Sequence, residues 1–229
     1  MADWLSYSLA DFLPFSRGTY LRLFELHNAR FWPAAVIGLG LGLWMLWLLH
    51  RPDARRLQLS LVLLALCWLW VAWAFLWETY APVNWASVYA AGAFAVQGLL
   101  LVVVAAGPSR ARSTVRTGTG ARLGVVLVAC AVLVLTVLRF IGDRSWHGLE
   151  LFGTAPDPTV AATLGLMPLL RSPLRPVLLI VPTLWSLLSG LTLLALGDPL
   201  WPVLPAYASV IVAWVVGNWW WDRSRSLPR

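Results

Sequence analysis

The chain reads as an all-α bundle of membrane-spanning helices. Apolar residues make up 60% of its 229 residues and charged residues 12%. Soluble domains run at roughly 45–50% and about 25%. Several apolar runs approach the ~20 residues that a helix needs to cross a bilayer. The basic side chains, all arginine, cluster in short polar stretches between those runs, where they act as orientation signals.

Residues 1–30 form a lead-in, 31–221 the bundle and 222–229 a tail. The stretch from Trp4 to Phe15 is short and aromatic. Ser16, after Pro14, is placed to cap a helix over 17–28. Tyr20, Leu23, Phe24 and His27 fall on one face of that helix, and Arg22 and Glu25 on another. This amphipathic spacing suits a helix lying in the membrane interface, or a lid packed on the bundle.

The first span runs from Phe31 to His50, with Pro33 in its first turn, where a missing N–H costs little. After the polar loop 51–56, the second span, Leu57 to Glu78, is dense in tryptophan. A turn from Thr79 to Asn84 leads to the third span, Trp85 to Ala106. The arginine-rich loop Gly107 to Arg122 precedes the fourth span, Leu123 to Ile141, and a long loop runs from Gly142 to Pro158. The fifth run, Thr159 to Leu170, has twelve residues, about 18 Å of helix against a ~30 Å hydrocarbon core. The sixth span is Val177 to Leu196, and the last is Trp201 to Trp221.

Charge arbitrates the short run. If it crosses, arginines 51, 55, 56, 110, 112, 116, 122, 171, 175, 223, 225 and 229 are cytoplasmic, and 17, 22, 30, 139 and 144 lie outside: twelve against five. If it does not, the better orientation gives ten against seven. The expectation is therefore seven spans (six without the short run), the N-terminus outside and the C-terminus cytoplasmic. A short crossing needs bilayer thinning, a snorkelling Arg171 or burial by neighbouring helices.

The net charge of +7 is spread through loops, with no basic face long enough to track phosphates, so nucleic acid is not an expected partner. Cys67 and Cys130 fall inside predicted spans, where buried thiols without a disulfide are expected. No basic stretch precedes an early apolar run, so no signal peptide is expected. Without lysine, the chain cannot form a retinal Schiff base.

A resemblance is carried by several segments in order. They are Leu9-Ala10-Asp11-Phe12-Leu13, Arg22-Leu23-Phe24-Glu25-Leu26-His27-Asn28, Trp32-Pro33 and Trp73-Ala74-Phe75-Leu76. Pro156-Asp157-Pro158-Thr159, Trp185 and Ser189-Gly190 complete the set. Together they resemble a bacterial family of multi-pass membrane proteins, domain of unknown function 6064. The resemblance implies a bacterial inner-membrane location. It implies no activity and no site residue.

The candidate functional residues are few. Glu78 and Arg139 lie at the outer margins of spans two and four, where unpaired charge is costly, and are expected to pair. Gln97 is the strongly polar side chain nearest mid-span; on span six Thr183, Ser186 and Gly190 share a face with Ser189 beside them, small residues whose spacing permits close helix approach and which also offer a polar face. Glu78, Arg139, Gln97, Ser186 and Ser189 would line a path or vestibule. Glu25, His27, His147 and Glu150 form an outer-face cluster, read as interfacial hydrogen-bonding groups, with no metal expected. Trp70, Trp73 and Trp77 share a stripe, read as belt and packing rather than as a cation cage. Ser189-Gly190 resembles an intramembrane protease nucleophile, but Leu187 stands where that motif needs glycine and all three histidines lie upstream. No enzyme and no cofactor is expected. The reading is a small-solute permease or channel-like carrier, or else a non-catalytic scaffold or accessory subunit. Its partners are the bilayer and either a second copy or another membrane protein.

Overall fold

The computed structural model describes residues 13–107, 114–115, 118–141 and 146–226, with the backbone alone at 114–115, 139–141, 146, 219 and 221–226. The described residues are almost wholly helical. Among the described residues, five helices are long and apolar enough to cross a membrane.

Helix α1 spans Arg17–Arg30. Ser16 caps it, accepting the Thr19 N–H at 3.2 Å. Its buried residues are Tyr20, Leu23, Phe24 and His27, the face that the spacing predicts. Helix α2 is Trp32–His50, with proline in its first turn. Helix α3 runs from Ala54 to Tyr80; Asp53 caps it through the Arg56 N–H at 2.9 Å, and its last ten residues, Val71–Tyr80, are π-helical. Helix α4 is Ser87–Ala106. Helix α5 comprises Thr119–Ala129, a π-helical turn Cys130–Val134 and Leu135–Ile141. Helix α6, Pro156–Leu166, has only eleven residues. Helix α7 is Arg175–Ala195, with Pro182 inside it. Helix α8 is Val203–Ser226, apolar over Val203–Asn218.

The short run is the centre of the molecule. Every residue from Phe152 to Leu170 is buried. Around this axis, α3, α5, α7 and α8 pack with small-residue contacts. A Cβ on Gly165 of α6 would sit 2.8 Å from the Tyr207 hydroxyl of α8 and 2.8 Å from the Val128 nitrogen of α5. A Cβ on Gly190 of α7 would run into Pro205 of α8, so this glycine serves close helix approach, as expected of the small residues there.

The helix starts earlier than its apolar run suggests. Pro156 stands in the first turn and fits the fixed φ needed there. The chain enters α6 through Gly153, whose φ of +79° is open to glycine and costly for other residues. After α6 the chain forms a two-residue strand β2, Leu170–Arg171, pairing antiparallel with β1, Thr114–Val115, in the loop that follows α4. The opposite end of the segment meets α1, where Asn28 Nδ2 donates to the carbonyls of His147 and Leu149 at 2.8 and 2.9 Å.

The outer surface of the bundle is apolar. Trp32, Trp85 and Tyr89 are exposed, as are Ile37, Leu66, Trp73, Trp77, Leu184 and Val210. An apolar surface of this extent is incompatible with a water-exposed monomer and compatible with a membrane protein. The exposure of Trp73 and Trp77 agrees with the belt reading of the tryptophan stripe, while Trp70 packs edge-on against Phe31 at 5.6 Å. Both cysteines are free.

The packing at Gly165 yields a test with an internal control. Gly165→Ala forces a side chain against two neighbouring helices and should destabilise the protein by about 1–3 kcal/mol. Gly40→Ala, where an added Cβ meets nothing within 4 Å, should be neutral or stabilising. Thermal unfolding in detergent compares the two; equal midpoints would contradict the packing.

Candidate functional site

A concentration of polar side chains faces a cavity beside α1. There a vestibule of about 230 Å³ is walled by Tyr20 and Phe24 of α1, by Phe75 and Tyr80 of α3, and by Asn84, Asp157, Trp185, Ser189 and Thr192. The wall is aromatic and the floor is polar.

The floor is built around Asp157. This residue sits in the first turn of α6, where the helix dipole favours a negative charge. Its side chain receives two hydrogen bonds from α7: Trp185 Nε1–H donates to Oδ1 at 2.9 Å, and the Ser189 hydroxyl donates to Oδ2 at 2.8 Å. Trp185 and Ser189 are four apart, so they present adjacent groups on one face of α7. The residue is buried, with 5% of its surface exposed. Tyr80 and Asn84 close the opposite wall, with Asn84 Nδ2 3.4 Å from the Tyr80 hydroxyl.

Helix α1 is fastened over this site at several points. Arg17 lies 4.0 Å from Asp198, in the connection between α7 and α8. His27 Nδ1 lies 3.1 Å from Thr79 Oγ1. The Thr79 proton goes to the Ala74 carbonyl at 2.8 Å, so the histidine is the donor. His27 Nε2 is buried without a hydrogen-bond partner among the described residues. Burial disfavours the imidazolium, Arg30 adds to this, and the pKa is lowered from 6.5 to about 4; a hydrogen bond to the Ala74 carbonyl opposes the shift. The ring is therefore neutral at ordinary pH.

The residues expected to line a path separate. Ser189 lines the vestibule. Glu78 is held by Arg30, Nη2 to Oε2 at 3.1 Å. Arg139, its expected partner, has a side chain outside the described residues. Gln97 is fully buried and lines none of the cavities described here. Its Nε2 donates to the Leu178 carbonyl at 3.0 Å. The reason is Pro182: it has no N–H to return to Leu178 four residues earlier, and Gln97 supplies the missing donor. Ser186 turns back on its own helix, donating to the Pro182 carbonyl at 2.7 Å.

The outer-face cluster is also dispersed. Glu25 pairs with Arg22 on the exposed side of α1 at 2.6 Å. His27 is buried beneath it. His147 is exposed, and its carbonyl, not its ring, receives Asn28. Glu150 is buried and shares with Asp157 the lining of a narrow second cavity of about 10 Å³. Among the described residues no group of three or more His, Cys, Asp or Glu side chains could hold a metal ion.

Sequence reasoning passed over Asp157, Trp185, Tyr80 and Asn84. A signal for the first two was present. Pro156-Asp157-Pro158-Thr159, Trp185 and Ser189-Gly190 are the segments that carry the family resemblance, and the structure joins them by hydrogen bonds.

A family model described as "Family of unknown function (DUF6064)" matches residues 17–216. No curated protein and no solved structure matches the chain.

The role of Gln97 can be tested by a double-mutant cycle. Gln97→Leu leaves the Leu178 carbonyl unsatisfied and should cost about 1–3 kcal/mol of stability. In a Pro182→Ala background the helix regains its own N–H donor, and the same change should cost much less. Additive losses in thermal unfolding would contradict this assignment.

Proposed function

The chain belongs to the family of unknown function DUF6064, and since membership supplies no activity, we propose from the geometry that it is a small-solute permease of the bacterial inner membrane, sealed on its cytoplasmic side. The observation that carries the reading is the vestibule ending on Asp157, Trp185 and Ser189 at the start of a short buried helix. Interrupted or short helices inside a bundle are where transporters place binding groups. The carboxylate and the hydroxyls of Ser189, Tyr80 and Thr192 suit a small polar solute with hydrogen-bond donors, and the aromatic wall suits its apolar faces.

The proposal includes seven crossings, with the N-terminus outside and the C-terminus cytoplasmic. Two features support it. The residues before α6 lie against α1, whereas Leu170–Arg171 pairs with the loop after α4. The segment therefore runs between opposite ends of the bundle. Its helix covers only about 16 Å at 1.5 Å per residue, and its non-helical flanks cover the rest. Those flanks are buried in protein, which is the condition under which irregular backbone is tolerated at membrane depth. The arginine split of twelve to five fits the same orientation.

The second reading, an accessory subunit or scaffold, is favoured by the packing around α6 and by the commitment of Gln97 and Glu78 to internal partners. The vestibule shares no lining residue with the cavity of about 280 Å³ near Ser172 and Arg175. A permease therefore has to rearrange α6 or α7 to pass a solute.

Two measurements test the proposal, the first its topology and the second the permease reading against the accessory subunit. Reporter fusions at Arg116 and Arg229 should both read cytoplasmic; opposite signals would remove the seven-span arrangement. Proteoliposomes should take up at least one member of a panel of labelled glycerol, glucose, alanine, choline and phosphate faster than protein-free vesicles. Asp157→Asn should lower that uptake at least about tenfold, ~1.4 kcal/mol. Uptake of none of the five above the vesicle background would favour the accessory-subunit reading.

A further inference from the structure

A second cavity, larger than the vestibule, lies on the other side of α3. It is a cleft of about 520 Å³ between α2 and α3, within the ~300–1,000 Å³ of ordinary ligand pockets. Its walls are Ala34, Ile37 and Leu41 of α2 and Leu66, Cys67 and Trp70 of α3. The walls are apolar, and Ile37 and Leu66 are also more than half exposed on the outer surface, so the cleft opens sideways. Its inner end reaches Gly153, the turn that leads into α6.

The mouth is not apolar. Arg30, at the end of α1, lines it and is 58% exposed. The guanidinium carries five N–H donors in a planar fork, and Glu78 takes one nitrogen at 3.1 Å. Trp70 supplies a second polar group. Its ring lines the cleft, and its Nε1–H is buried without an acceptor among the described residues. The cleft thus combines a long apolar slot, a cation at its outer end and an indole donor between them.

We infer that this cleft holds one acyl chain of a membrane phospholipid, with the lipid phosphate at Arg30. Arginine recognises phosphate by parallel N–H···O bonds. A glycerol ester carbonyl is an acceptor of the kind Trp70 lacks. The chain lies against Gly153, whose N–H donates to Thr159 Oγ1 at 3.1 Å. The lipid therefore abuts the turn that positions α6. The inference rests on reading the bundle as membrane-embedded, but does not require that a solute be transported.

The test is native mass spectrometry of the full chain, stripped of lipid in detergent and titrated with palmitoyl-oleoyl phosphatidylethanolamine. The wild type should retain one lipid at collision energies that remove the others. Arg30→Gln should reduce the retained fraction about tenfold, and Ala34→Phe, which fills the slot, should do the same. Glu78→Gln breaks the same ion pair but leaves the arginine, so it should retain the lipid. Should Ala34→Phe lose helicity, the comparison of Arg30→Gln with Glu78→Gln decides. Equal retention in wild type and Arg30→Gln, no retained lipid, or equal loss in Arg30→Gln and Glu78→Gln would each overturn the inference. Solubility of the protein without detergent would instead remove the membrane reading itself.

Discussion

From Phe152 to Leu170 the chain is enclosed by protein, so each polar group on it needs a partner from the protein. An unpaired amide or hydroxyl in such surroundings costs several times what one hydrogen bond contributes. The sequence meets the requirement with a ladder of hydroxyls. Thr159 donates to the Ala155 carbonyl at 2.8 Å and receives the Gly153 N–H. Thr163 donates to the Thr159 carbonyl at 2.9 Å and receives Trp68 Nε1–H at 2.7 Å. Asp157 takes the two donors from α7. Helix α6 is thereby tied to α3 by Trp68 and to α7 by Trp185 and Ser189, and the vestibule floor is a consequence of the same ties.

The same accounting explains polar residues that look functional in a linear reading. At three places where a long helix departs from regular α geometry, a side chain from another helix donates to a carbonyl at or beside the irregularity. Gln97 serves the carbonyl freed by Pro182. Tyr207 donates to the Leu127 carbonyl at 2.9 Å, beside the π-helical turn of α5. The Ser87 hydroxyl donates to the Leu76 carbonyl at 2.8 Å, within the π-helical end of α3. Each of these bonds ties two helices together. Helix α1 is held differently. Its exposed ion pairs contribute little. Burial of Tyr20, Leu23 and Phe24, at about 1.5–3 kcal/mol per fully buried large side chain, does most of the docking.

Much of this architecture could be read in the residues. The apolar runs located the long helices, and the 3.6-residue spacing of Tyr20, Leu23, Phe24 and His27 picked out the buried face of α1. The spacing of the small residues of α7 marks a close-packing face, and Gly190 lies there against Pro205 of α8. The site was harder to read. Glu78 and Arg139 pair in a linear reading because both sit at outer margins; the Arg139 side chain lies outside the described residues, and Arg30 reaches Glu78 from α1. Gln97 drew attention by its depth in the span; its partner, freed by Pro182, lies 81 residues away. Asp157 reads as loop because it precedes the apolar run, although Pro156 beside it suits a first helical turn. Hydropathy marks where helices cross and is silent about which polar groups meet between them.

Amide hydrogen exchange in detergent micelles, resolved by mass spectrometry, tests the central claim most directly. Peptides covering 152–170 should be among the slowest to exchange in the protein, although their helix is much shorter than those around it. Exchange there as fast as in the turn around Pro82 would mean that this segment is not the enclosed centre of the bundle, and the vestibule floor would lose its basis.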